Sequence, residues 1–190
     1  MTGRAIACVG PSGAGKDTVM DAVRQARPEI TLARRVITRP EALGGEDFEG
    51  VSEAEFDRRR EAGAFALHWQ AHGLSYGIPR ALVARIEAGE TMFINLSRAV
   101  LAEAHQVLPG LIVLEITARP EVRAARLAAR GRETVDEIAA RLARPAPALP
   151  PGLCHREIDN SGALEDTVRA VLKVLEDAPK SQASGPRVIS

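Results

Sequence analysis

The sequence predicts an α/β fold in which helices cover both faces of a parallel sheet. Short apolar runs alternate with segments whose apolar residues recur every three or four positions. This alternation is typical of parallel strands joined by helical crossovers. The second observation is a glycine-rich segment, residues 10–18, that directly follows the first apolar run. Because ligands bind beyond the carboxyl ends of parallel strands, this segment also predicts where the functional site lies.

In the first half of the chain, local signals set the ends of the predicted elements. Apolar residues with helical spacing follow Lys16 and stop before Pro28, which ends a helix. Ser52 and Glu55 form a capping box that starts a second helix. Pro79 opens a third helix. Strands are predicted over residues 5–9 and 30–39, a turn over 44–46, and a strand, a turn and a strand over 64–78.

The second half continues the alternation. Ser97 is predicted to cap a helix, and Asn160 or Ser161 is predicted to cap the last helix of the chain. A proline-rich connector over residues 145–151 precedes the last short strand. Strands are predicted over residues 91–96, 111–117 and 155–158, and helices over 97–108, 120–129, 135–144 and 163–178.

Length and composition favour a single domain and exclude several classes of partner. The 190 residues suffice for one α/β domain, predicted over residues 1–178, and the polar, aperiodic segment 179–190 is predicted to be a disordered tail. Lys plus Arg and Asp plus Glu both number 25, and aromatic residues make up 3%. Neither a nucleic acid nor a membrane is therefore expected as a partner. No signal peptide is apparent, so a cytoplasmic location is expected, and the oligomeric state stays open.

Residues 10–18 match the phosphate-binding pattern G-x-x-x-x-G-K. They lie between a predicted strand and a helix start, which is the context that this motif requires. The glycines let the backbone approach a phosphate, the helix start offers unsatisfied N–H groups, and the lysine supplies a charge for the outer phosphates. We predict that nucleotide phosphates contact Gly10, Pro11, Ser12, Gly13, Ala14, Gly15, Lys16, Asp17 and Thr18.

Asp17 departs from the usual pattern, in which a Ser or Thr after the lysine binds Mg²⁺. A carboxylate can also hold Mg²⁺, directly or through water, because Mg²⁺ prefers hard oxygen ligands. Without a metal the carboxylate would repel phosphate. The alternative is that Asp17 is only a favourable acid in the first turn of a helix and that Thr18 lies at the surface.

Arginines form two groups that suit the transfer of a phosphoryl group. This chemistry needs positive charge around the γ-phosphate, and planar guanidinium groups match phosphate oxygens. Arg35 and Arg39 lie near the end of an early strand, whereas Arg126 and Arg144 are more simply explained as surface residues of charged helices. Three further arginines are predicted to lie in a lid, namely Arg130, Arg132 and Arg141.

Several stretches beyond the phosphate loop carry a family resemblance. They are Val36-Ile-Thr-Arg39, Gly45-Glu46, Val51-Ser-Glu-Ala-Glu-Phe56, Phe65, His72-Gly73, Tyr76-Gly77 and Arg126-Leu-Ala-Ala-Arg130-Gly-Arg132-Glu133. Together they resemble the guanylate-kinase-like branch of the nucleoside-monophosphate kinases, over almost the whole chain. The resemblance implies a P-loop NTPase fold with an acceptor-binding subdomain over residues 35–90 and a helical lid over residues 126–144.

A second set of segments carries a closer likeness, namely Lys16-Asp17, Val36-Ile-Thr-Arg39, residues 67–77, Asn95-Leu-Ser-Arg98 and residues 130–144. By these segments the chain, within this branch, most closely resembles the bacterial ribose 1,5-bisphosphate phosphokinases. The departures from guanylate kinases agree with it. The acidic residue with which guanylate kinases bind guanine corresponds to Leu67, and an aspartate at a strand end corresponds to Asn95. Phosphate-binding parts are kept while base-binding parts are lost, which indicates an acceptor with phosphate and no base.

The resemblance implies an ATP-dependent kinase that converts ribose 1,5-bisphosphate to 5-phospho-α-D-ribose 1-diphosphate (PRPP), releases ADP, uses Mg²⁺ and serves phosphonate catabolism. Lys16, Arg130 and Arg141 would be catalytic, and Arg132 would bind nucleotide. No residue need act as a base, because a phosphate acceptor is already ionised. The residues that would bind the acceptor are Arg35, Arg39, His72, Tyr76, Ser97 and Arg98.

Two alternatives stay open from the sequence. One is a guanylate kinase or another nucleoside-monophosphate kinase with an altered base site. The other is a non-catalytic guanylate-kinase-like binding module, although the intact phosphate loop argues against it. His68 is expected to have only a packing or hydrogen-bonding role, and Trp69 is expected in the core.

Overall fold

Two sheets and their flanking helices make up the part of the chain that the computed structural model describes, residues 3–41, 47–108, 110–131, 134–143 and 147–178. The strands are β1 (Arg4–Val9), β2 (Ile30–Leu32), β3 (Arg35–Ile37), β4 (Phe48–Gly50), β5 (Phe65–Ala71), β6 (Leu74–Pro79), β7 (Thr91–Asn95), β8 (Ile112–Thr117) and β9 (Cys154–Asp159). The helices are α1 (Lys16–Ala26), α2 (Glu53–Glu61), α3 (Arg80–Glu87), α4 (Leu101–Val107), α5 (Pro120–Ala129), α6 (Val135–Ala143) and α7 (Leu164–Asp177).

The larger sheet is parallel throughout and has the strand order β2-β7-β1-β8-β9. Strand β1 is central, with Cys8 opposite Asn95 of β7 and Val9 opposite Glu115 of β8. The carboxyl ends of these three strands therefore lie side by side, next to the glycine-rich loop that follows β1. The predicted parallel sheet is confirmed.

Helices cover both faces of this sheet, as predicted. Side chains along a strand point alternately to opposite faces, and in β1 Ile6 and Cys8 pack in a cluster with residues of α1 and α7. Ala7 and Val9 pack on the other face, in a cluster with residues of α3 and α4. Each large aliphatic side chain fully buried in this way stabilises the fold by about 1.5–3 kcal/mol. Burial also raises the pKa of the Cys8 thiol, so this cysteine is an inert core residue.

The smaller sheet has the strand order β4-β3-β6-β5 and is mixed. The prediction of one strand over residues 30–39 is wrong, because β2 belongs to the parallel sheet and β3 to the smaller one. The N–H of Ala33 donates to the carbonyl of Phe93 (2.8 Å), and the chain then leaves the larger sheet. Strand β4 was not predicted, because three residues are too few to show alternation.

The β5–β6 hairpin turns at His72 and Gly73, whose φ angles are +54° and +73°. Two consecutive residues with positive φ are typical of a tight hairpin turn, where Asn, Asp and Gly are the usual residues. His72 is the one non-glycine residue with positive φ in the described ranges. The turn holds its exposed side chain at the tip of the smaller sheet.

Some predictions fall on residues outside the described ranges. These are the turn over 44–46, the tail over 179–190, and the roles of Arg132 and Arg144. The predicted lid helices are present as α5 and α6. None of the helices in the described ranges is long and apolar enough to cross a membrane.

Candidate active site

The glycine-rich loop joins β1 to α1 and packs tightly against its neighbours. A Cβ atom on Gly10 would lie 2.1 Å from the carbonyl oxygen of Ile116, and one on Gly13 would lie 2.9 Å from that of Arg123. Helix α1 starts with Gly15 in the left-handed conformation as its N-cap, without a side-chain cap hydrogen bond. The first amides of α1 are therefore not capped by a side chain and can bind an anion, to which the helix dipole adds.

Three side chains, which we call the loop brace, hold this loop from outside: Arg123, Arg126 and Asn160. The carbonyl of Ala14 accepts hydrogen bonds from Asn160 Nδ2 (2.8 Å) and Arg126 Nη1 (3.3 Å). Arg126 Nη2 also donates to the Asn160 carbonyl (2.8 Å), and Arg123 Nε donates to the carbonyl of Ser12 (3.0 Å). The expectation that Arg126 is a surface residue is therefore wrong. Asn160 does not cap α7 either, since its amide binds the loop and the N-cap of α7 is Ala163.

Replacing Asn160 by Ala is expected to destabilise the protein and weaken ATP binding. The side chain is 2% exposed, and its Oδ1 accepts from Thr167 Oγ1 (3.0 Å) while its Nδ2 holds the loop. Its loss leaves a buried hydroxyl with one fewer acceptor and the loop carbonyl with one fewer donor, at a cost of about 1–3 kcal/mol. Urea unfolding and ATP titration measure the two effects. Gln106→Ala, which removes an exposed amide from α4, is the matched control and should change neither.

A cleft of about 430 Å³ opens between the glycine-rich loop and the smaller sheet. It brings together residues that are far apart in sequence. The predicted site residues that line it are Gly10, Pro11, Ser12, Lys16, Asp17, Arg35, His72, Tyr76, Ser97, Arg98 and Arg141. Sequence reasoning did not assign the lining residues Trp69, Asn95 and Arg123 to the site.

The charge of the lining is strongly positive, so we call this the cationic cleft. Five side chains supply the positive charge, namely Lys16, Arg35, Arg98, Arg123 and Arg141. Among the lining residues in the described ranges, Asp17 is the only carboxylate. Lys16 Nζ donates a hydrogen bond to the carbonyl of Gly10 (3.0 Å). Partial burial lowers the pKa of the Arg123 guanidinium. Arginine still carries its charge near neutral pH, so the cleft suits polyanions.

Arg35 lies 7% exposed in the cleft wall, above two stacked aromatic rings. The ring centroids of Trp69 and Tyr76 are 5.3 Å apart, and the two ring planes are nearly parallel, with an angle of 7° between them. The Arg35 guanidinium lies 5.2 Å from the Tyr76 ring centroid and 5.9 Å from that of Trp69, and its Nη1 donates to the Asn95 carbonyl (2.9 Å). The expectation that Trp69 is a core residue is only half right, because the half-buried ring also forms the cleft wall.

Arg98 lines the cationic cleft, but its guanidinium also pairs with Glu115 of β8. His155 Nε2 contacts the second oxygen of that carboxylate at 2.8 Å. Ser97 accepts a hydrogen bond from the amide of Ala99 (3.3 Å), so it caps a short 3₁₀ turn that precedes α4. Both residues line the cleft, and their predicted role in binding the acceptor stays a prediction. Glu115 partly neutralises the charge that Arg98 brings.

Six predicted site residues in the described ranges do not line the cationic cleft, namely Gly13, Ala14, Gly15, Thr18, Arg39 and Arg130. Arg39 lies 4.4 Å over the Phe48 ring, in a separate groove beside the start of α2. Arg130 and the exposed Thr18 line another groove, which runs along α1 and also includes Leu164 of α7. Asp17 borders both this groove and the cationic cleft. The roles predicted for Arg39 and Arg130 stay predictions.

Asp17 is the residue in the cleft best suited to hold Mg²⁺. The described residues contain no group of three or more His, Cys, Asp or Glu side chains that could form a complete metal site. Mg²⁺ in nucleotide enzymes keeps several waters and needs only one or two carboxylates beside the phosphates. Asp17, at the start of α1 and accepting a hydrogen bond from Asn95 Nδ2 (3.0 Å), fits that requirement.

The fold is that of the guanylate-kinase-like P-loop proteins. A guanylate kinase from Anaplasma phagocytophilum has a similar structure, with a TM-score of 0.70 at 18% sequence identity, and the match covers 95% of this chain and 88% of that one. At this identity the likeness establishes the fold alone. The predicted fold class is confirmed.

The chain belongs to the family of ribose 1,5-bisphosphate phosphokinases named PhnN. It is 53% identical to the protein of that name from Ruegeria sp. (strain TM1040), over 87% of this chain and 88% of the relative. It is 46% identical to the one from Agrobacterium fabrum, over 93% of this chain and 98% of the relative. No protein-family model matches the chain. The family resemblance inferred from the sequence is therefore confirmed.

Proposed function

We propose that this protein transfers the γ-phosphoryl group of ATP to ribose 1,5-bisphosphate and forms 5-phospho-α-D-ribose 1-diphosphate and ADP. A terminal oxygen of the anomeric phosphate attacks the γ-phosphorus. The bond from that phosphorus to the oxygen bridging to the β-phosphate breaks, and its electron pair leaves with ADP. Family membership supports the assignment, since the relatives carry this activity in their names.

The observation that carries the proposal is the composition of the cationic cleft. Five cations and one carboxylate line it in the described part of the chain. Leu67, at the position that corresponds to the guanine-binding acid, is fully buried in the core. The cleft therefore offers many partners for phosphate and, at this position, none for a purine base. An acceptor with two phosphates and no base fits these contacts best.

The proposed roles follow from where the side chains lie. The first amides of α1 and Lys16 bind the β- and γ-phosphates of ATP, and Arg35 binds the acceptor phosphate opposite them. Tyr76 supports Arg35 by stacking and can offer its hydroxyl to the same phosphate. Arg141 reaches the cleft from α6, one of the lid helices, and brings charge to the transferred group. Positioning and charge are the main contributions of an enzyme to this reaction.

Two further features of the site are assigned to the bound nucleotide, a Mg²⁺ ligand and a groove for the nucleoside. When bound, Mg²⁺ would neutralise charge on the β- and γ-phosphates, and Asp17 is the residue proposed to hold it. The groove lined by Thr18, Arg130 and Leu164 adjoins the phosphate site at Asp17. We assign it to the nucleoside of ATP, and we keep residues 35–90 as the acceptor-binding region and residues 126–144 as the lid.

A coupled ADP-release assay with ATP and Mg²⁺ tests the proposal. Ribose 1,5-bisphosphate and GMP are offered in parallel, and product from the sugar is identified by mass. We expect turnover with the sugar bisphosphate and little with GMP. Preferential turnover of GMP would make the protein a nucleotide kinase. A chain that binds no ATP would be a non-catalytic module, and either result would overturn the proposal.

A further inference from the structure

Asp17 and Asn95 come from separate elements and meet at the edge of the cationic cleft. Asp17 lies in the first turn of α1, directly after Lys16, and Asn95 ends β7. Parallel pairing places Asn95 opposite Cys8 of β1, so the end of β7 lies beside the start of the phosphate loop. The Asn95 amide donates to one Asp17 oxygen (3.0 Å) across 78 residues of sequence.

In the Asp17–Asn95 pair the acidic and the neutral side chain occupy swapped positions, compared with the common Mg²⁺ site of phosphate loops. The usual site takes a neutral Ser or Thr hydroxyl from the position after the lysine and an aspartate from another segment. In this chain the residue after the lysine is the acid, and the neighbouring side chain is a neutral amide. The number of carboxylates is kept, but the negative charge now lies on the phosphate-loop helix itself.

This location makes the charge of Asp17 unfavourable for a bare nucleotide. The carboxylate follows Lys16 directly and lines the same cleft as the loop residues that would bind the phosphates. A carboxylate and a phosphate at such short range repel each other. A divalent cation bound between the carboxylate and the phosphate would attract both groups and so offset their repulsion.

We propose that Asp17, positioned by Asn95, makes nucleotide binding dependent on the divalent cation, so that the site takes MgATP and rejects metal-free ATP. The proposal rests on the proposed function, since it assigns the nucleotide phosphates to this loop. Asn95 acts through Asp17: its N–H fixes one carboxylate oxygen and leaves the other to the metal or its water.

The first test compares ATP affinity with Mg²⁺ and with EDTA, by calorimetry, for the wild type and Asp17→Asn. We expect the variant to bind MgATP at least about tenfold more weakly, as losses at metal sites commonly are, and to bind metal-free ATP more tightly than the wild type. Asp166→Asn is the matched control, because it removes an exposed acid from the first turn of α7, away from the cleft and from the groove assigned to the nucleoside, and should change neither affinity. The proposal fails if Asp17→Asn changes the affinities for MgATP and for metal-free ATP by the same factor, or changes neither. In either case the acid does not select the metal complex.

The second test moves the carboxylate back to β7. Mn²⁺ binding in the presence of ADP, followed by electron paramagnetic resonance, should fall at least about tenfold in Asp17→Ser. It should recover in Asp17→Ser with Asn95→Asp, where the acid lies on the other partner. If the double variant is folded by circular dichroism yet binds Mn²⁺ as weakly as Asp17→Ser, the proposal that the acid can act from either position is wrong.

Neither measurement requires the acceptor. Failure of ribose 1,5-bisphosphate as a substrate would therefore refute the proposed function and leave the metal dependence standing. Conversely, unchanged metal dependence in these variants, together with turnover of the sugar, would refute only the role of Asp17 and Asn95.

Discussion

Replacing Lys16 by Ala is expected to lower kcat for ADP release about 10²–10³-fold, the usual loss when one fixed charge at a developing negative charge is removed. Lys16 is the lysine of the phosphate loop, and its Nζ lies at the loop carbonyl of Gly10 (3.0 Å), at the edge of the cationic cleft. In the transition state negative charge develops on the oxygen that leaves with ADP. A positive charge beside the β- and γ-phosphates therefore acts mainly on kcat.

The control for this prediction is Lys173→Ala, which removes an exposed lysine from α7. It should leave kcat within a factor of about two, because a distant surface charge is screened by solvent. Steady-state kinetics with ribose 1,5-bisphosphate as the varied substrate provides both values. A Lys16→Ala variant that keeps the wild-type kcat and changes only KM would show that the lysine binds ground state and transition state equally.

The nucleotide half of the site could be predicted from the sequence because it is continuous in the chain. A strand, a glycine-rich loop and a helix start follow one another within residues 4–26. Their contacts are local, and the motif that specifies them is read directly. The same holds for α2, whose N-cap Ser52 accepts a hydrogen bond from the amide of Glu55 (3.2 Å) as the capping box predicts.

The loop brace could not be predicted, because its contacts span most of the chain. Asn160 and Ala14 are 146 residues apart, and no local pattern indicates that an Asn before a helix will bind a loop at the other end of the sequence. Arg126 looks like any arginine of a charged helix until the packing of α5 against the loop is known. The sheet to which a strand belongs could not be predicted for the same reason. Residues 30–39 are apolar enough for one strand, but β2 lies in the larger sheet and β3 in the smaller one.

Replacing Arg35 by Ala is expected to lower kcat/KM for ribose 1,5-bisphosphate about 100-fold, which corresponds to roughly 3 kcal/mol for a lost charge-assisted contact. The residue is buried, its Nη1 donates to the Asn95 carbonyl (2.9 Å), and its guanidinium lies on the Tyr76 ring. Arg35→Lys should recover only part of the loss. Lysine restores the charge but lacks the planar group that stacks on the ring and binds carbonyl and phosphate together.

The specificity of the effect decides between an acceptor-binding role and a general structural one. If Arg35 binds the acceptor, the affinity for MgATP measured without acceptor stays within a factor of about two, because each ligand uses separate contacts. Arg34→Ala is the control, because the side chain of Arg34 is 53% exposed and pairs at the surface with Asp47. Equal losses for ATP and acceptor, or a large fall in unfolding temperature, would mean that Arg35 mainly holds β3 and β7 together. In that case Arg141 or Arg98 would have to bind the acceptor phosphate.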